Sequence, residues 1–112
     1  MPRTGNKVRA GVRNDSKTRV MHLRLMVDVA SSLRTHVQKR GDLTKALDSM
    51  LDDTDLEKVP LLDITFEHGI EPTVWMISNR NFNKLHRMAS QRGCSVNALV
   101  NSLVENATRA RN

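Results

Sequence analysis

The side chains that could carry chemistry in this sequence fall into no catalytic pattern. Its four histidines, His22, His36, His68 and His86, are scattered without metal-ligand spacing. Cys94 is the single cysteine, so neither an internal disulfide nor a cysteine pair for zinc can form. Asp52, Asp53 and Asp55 cluster, but nothing beside them completes an acid–base or metal site, and a solvated helix end suits them better. There is no nucleophile–base pair and no glycine-rich phosphate loop. An enzyme is therefore not expected, nor a metal or cofactor. What remains is recognition chemistry, and one run offers it. "KTRVMHLRL", residues 17–25, alternates with a period of two, so Thr18, Val20, His22 and Arg24 share one face. Arg19, Met21, Leu23 and Leu25 share the other, which is apolar except for Arg19. This is the pattern of a half-buried strand whose open face carries an imidazole and a forked guanidinium. An exposed arginine on an isolated strand is ordinarily just solvated, so its meaning depends on the elements around it.

The chain has 112 residues, enough for one domain or two very small ones. It carries 18 Lys and Arg against 12 Asp and Glu, a net charge of +6 and a pI near 10.3. That balance points to a polyanionic partner: nucleic acid, an acidic membrane surface or an acidic protein. No apolar run is long enough to span a bilayer and the N-terminal stretch lacks a signal-peptide core, so a cytoplasmic protein is expected. Residues 1–17 form an expected flexible basic arm, too poor in large apolar residues to fold alone. Such an arm suits a phosphate backbone, and its composition suits a solvated tail equally well.

Beyond the strand, Val29, Leu33 and Val37 give one apolar helical face, closed by Gly41. Asp42 is a good N-cap for a second helix striped by Leu43, Ala46, Leu47, Met50 and Leu51. Residues 53–72 are acidic, hold two prolines and a glycine, and read as a linker; "LLDITF" within it suits a short strand or a packed turn. The pattern then returns. "TVWMIS" is a strand candidate, Phe82, Leu85, Met88 and Ala89 line a helix ended by Gly93, and Ser95 caps a helix striped by Val96, Leu99, Val100, Leu103 and Val104. Leu25 to Gly41 align with Ile77 to Gly93 at an offset of 52, which becomes 53 beyond the glycines. The chain thus contains an internal repeat.

A strand, a helix, a glycine and a second helix resemble the ribbon-helix-helix fold of the Arc, MetJ and CopG repressors. The resemblance covers residues 18–52 and 73–108, and rests on "LRL" before the first helix and "GCSVNALV" at the start of the last. Met26 and Ser78 stand where a proline commonly follows the strand. The resemblance implies a mainly α fold with a short β-ribbon, in which two ribbon-helix-helix units form an intramolecular pseudo-dimer, similar to tandem TraY-type proteins. One unit alone has a single strand and too little core to persist.

In that family the ribbon enters the major groove of double-stranded DNA, and its outward side chains read base edges. Here these are Val20, His22 and Arg24. Transferring the strand phase adds Pro72, Val74 and Met76, with Trp75 expected in the core. The family also holds phosphates at the start of the second helix, which corresponds to Leu43, Thr44 and Lys45 and to Ser95, Val96, Asn97 and Ala98; Arg19 joins this set. Asp42 is mildly repulsive there, which favours the Ser95–Asn97 end. The second strand offers no strong hydrogen-bonding side chain, so it reads methyl groups and shape or serves another contact. The expected function is a sequence-specific DNA-binding protein, most simply a transcriptional repressor that self-associates on adjacent DNA sites. A plasmid conjugation or partition accessory protein is the alternative. An antitoxin, which would need a toxin-binding segment such as the linker as a protein-partner site, fits less well. Few aromatics disfavour RNA.

Overall fold

The computed structural model describes residues 17–109; the expected arm, Lys17 apart, lies outside them. The elements are β1 (Thr18–Met26), α1 (Val27–Arg40), α2 (Leu43–Asp53), β2 (Ile70–Ser78), α3 (Asn79–Arg92) and α4 (Val96–Arg109). Strand, helix, helix therefore occurs twice in a mainly helical domain. β1 and β2 pair antiparallel into a two-stranded sheet. Its register sets Val20 opposite Met76, His22 opposite Val74 and Arg24 opposite Pro72. At the repeat offset Val74 is the counterpart of His22, so the two equivalent residues face each other at the ribbon's centre.

The period of two sorts the side chains as the alternation requires. Met21, Leu23, Leu25, Trp75 and Ile77 turn inward and are buried. They meet the apolar stripes of the helices: Val29 and Leu33 of α1, Leu47 and Leu51 of α2, Leu85 of α3, and Leu99 and Leu103 of α4. Each helical hairpin turns at a glycine in the left-handed region, Gly41 at φ 87° and Gly93 at φ 68°, which a Cβ would strain. Asp42 caps α2 by accepting from Lys45 N, and Ser95 caps α4 by accepting from Ala98 N. Ser78 caps α3, whereas Met26 leaves α1 without a side-chain cap.

β2 begins at Ile70, three residues before the strand expected from Thr73, and so includes Pro72. The strand tolerates this proline because of where the backbone amides point. The N–H groups of Arg24 and Met26 donate away from β2, to Asn97 Oδ1 and Asn101 Oδ1 of α4, both at 2.9 Å. Arg24 and Pro72 are thus a pair that exchanges no backbone hydrogen bonds, and the missing proline N–H would have faced the outer edge.

Residues 54–69 carry no helix or strand, yet they are packed rather than strung between the halves. Leu56 and Val59 are buried in the common core. Arg92 donates to the carbonyls of both, at 2.9 and 2.6 Å, and Leu62 N donates to Ser102 Oγ at 2.9 Å. "LLDITF" forms no strand.

Candidate nucleic-acid interface

The outward face of the ribbon is built by the even-numbered residues of both strands. His22, Arg24 and Pro72 are exposed there. So are Val20 (50%), Val74 (46%), Met76 (44%) and Ile70 (43%), four of the five large apolar side chains left exposed among the described residues. Three of these, Val20, Val74 and Met76, are neighbours, and Ile70 lies beyond Pro72 on the same face; packing does not explain their exposure. The face is also uneven along its length. Arg24 stands towards one end beside Pro72, with Met26 and the exposed Ile70 beyond it; His22 and Val74 form the centre, and Val20 and Met76 form the apolar end, closed by Thr18 and Ser78.

Asn97 and Asn101 fix this ribbon on the helices. They lie one turn apart on α4, beside the buried Val100 and Val104. Besides accepting from the edge of β1, Asn101 donates through Nδ2 to Arg24 O at 3.1 Å and Asn97 O at 2.9 Å. The side chain is fully buried, so these bonds replace water; together the two asparagines hold the N–H and the carbonyl of Arg24 on the outer edge of β1. The side-chain roles of this pair were missed in the sequence, where Asn97 is singled out for its backbone amide. The signal was an asparagine at a core position between Val100 and Val104.

Because Asn97 reaches β1, the first turn of α4 lies beside the ribbon. Ser95 takes the Ala98 N–H, and the amides of Val96 and Asn97 have no acceptor among the described residues. A helix start with open amides favours an anion. The first turn of α2 leaves Leu43 and Thr44 amides similarly open and exposes Lys45, but the Asp42 carboxylate adds a negative charge. Arg19, the odd member of the inward face, is exposed and reaches α3. Its Nε donates to Asn79 Oδ1 at 2.7 Å, and its guanidinium lies 4.2 Å from the centroid of Phe82. Arg19 is thus set apart from the outward row. No group of His, Cys, Asp or Glu capable of holding a metal occurs among the described residues, and no helix among them is long and apolar enough to cross a membrane.

Comparison with protein-family models, with curated proteins and with solved structures finds no match to this chain.

Proposed function

We propose that the chain is a sequence-specific double-stranded DNA-binding protein of ribbon-helix-helix type, most simply a transcriptional repressor. Both halves of its core lie in one chain as an intramolecular pseudo-dimer. The observation that carries this reading is the outward ribbon face, with His22 and Arg24 open beside exposed apolar side chains that packing does not use. Two strands about 4.8 Å apart fit a major groove about 12 Å wide. Arginine there can bind guanine O6 and N7 with two hydrogen bonds, and apolar side chains can touch thymine methyl groups. The net charge of +6 supplies the sequence-independent attraction, and the first turns of α2 and α4 offer amides to phosphates. The counterpart residues His22 and Val74 meeting at the ribbon centre support the pseudo-dimer, because a two-fold relation between the halves requires such a pair.

Selection of bound duplexes from a random DNA library tests the proposal. The expected result is one enriched site, bound with an affinity that falls steeply with salt as on the order of four to eight phosphates are neutralised. A library that returns no enriched sequence would overturn it.

A further inference from the structure

The apolar end of the ribbon has a chemistry of its own, and its use as a base-contacting surface rests on the proposal that the chain binds DNA. Counterpart residues occupy opposite ends of the outward face: Met76 is the repeat equivalent of Arg24, and Val20 that of Pro72. A two-fold operator would present the same base edges to both ends, yet one end offers a guanidinium beside Ile70 and the other a thioether and an isopropyl group beside Thr18. Val20, Val74 and Met76 remain about half exposed while Met21, Leu23, Leu25, Trp75 and Ile77 on the inward face of the same strands are buried. In an aqueous surface they contribute nothing; against thymine methyl groups they bury apolar area at no polar cost. The net charge of +6 and the open amides of α4, which lie beside Arg24 at the other end of the same face, favour a nucleic acid over an apolar protein as the occupant of the face as a whole.

We infer that the protein recognises a non-palindromic DNA site in which Arg24 reads a guanine at one end and Val20, Val74 and Met76 read thymine methyl groups towards the other. The two ends are four residues apart on β1, roughly 14 Å at the rise of an extended strand. At about 3.4 Å per base step, that separates the guanine from the thymines read by Val20 and Met76 by about four base pairs, and from the thymine read by Val74 at the centre by about two.

The test uses the full chain and the duplex that it selects, with single-atom changes in the bases. Replacing thymine by deoxyuridine deletes only the methyl group and should weaken binding about fourfold at each thymine read. Replacing guanine by 7-deazaguanine deletes one acceptor of Arg24 and should weaken binding about tenfold. Each effect should disappear with its own reader: Met76→Ala should shrink the uracil effect and spare the deazaguanine effect, and Arg24→Ala should do the reverse. Both side chains are exposed, so both variants should keep the wild-type circular dichroism. A palindromic selected site, or indifference to uracil at every thymine, would overturn this inference and leave DNA binding standing. No selected site at all would overturn both. Self-association of the free protein that Met76→Ala abolishes, seen by sedimentation, would assign the apolar end to a second copy and overturn it as well.

Discussion

Asp48 sits where α2 meets β2 and α3, accepting from Trp75 Nε1 at 3.2 Å and from Asn81 Nδ2 at 3.4 Å. Burial raises its pKa; the two hydrogen bonds pull it back in part, and the charges of Asp52 and Asp42 push it further up. A carboxyl group with a raised pKa in the folded protein favours folding when protonated, and that contribution is lost as the pH rises through the raised value. At neutral pH the charged Asp48 is therefore a cost. The repeat places Asn101 at the equivalent position of α4. Asp48→Asn keeps an acceptor for Trp75 and removes the charge, so it should raise the melting temperature at neutral pH. The gain should fade as the pH drops through the Asp48 pKa, which calorimetry across the acid range would check. Asn101→Ala should act in the opposite direction. It leaves the Met26 N–H without its partner beside a buried helix face, at a cost of about 1–3 kcal/mol in urea unfolding.

At the scale of elements, the segment between the halves decides more than its composition suggests. Leu56 and Val59 are core residues, so Leu56→Ala should destabilise the protein by about 2–5 kcal/mol in urea unfolding, as cavity formation in a core does. A merely connecting segment would show almost no change. The sequence could not reveal this, because the packing of residues 54–69 depends on Arg92 and Ser102, which are remote in the chain and join no local period. The start of β2 was hidden for a related reason. Pro72 reads as a breaker until the neighbouring strand shows which way its missing N–H would point. By contrast, the strand phase, the helical stripes and the Asp42 and Ser95 caps were legible, since each rests on spacing within a few residues. Of the candidate site, the outward row of Val20, His22, Arg24, Val74 and Met76 was legible from that same phase. The Asn97–Asn101 clasp that holds it was not, because its meaning lies in a contact across more than 70 residues.

For the whole molecule, the register places each half's strand against the other's and mixes their helices into one core. Fragments spanning residues 1–69 and 70–112 should each show little helical circular dichroism alone and gain it on mixing, because neither closes a sheet or a core by itself. Two independently helical fragments would contradict this. The intact chain behaves differently from such a mixture in one practical respect. A ribbon assembled from separate chains falls apart on dilution, so its melting temperature tracks concentration. Here β1 and β2 are joined by a packed segment, and the melting temperature should stay constant over about a hundredfold dilution. If the ribbon reads DNA as proposed, occupancy then rises in direct proportion to copy number rather than with its square. A cell holding only a few molecules would keep every one of them competent, and halving the gene dose would halve the response without switching it off.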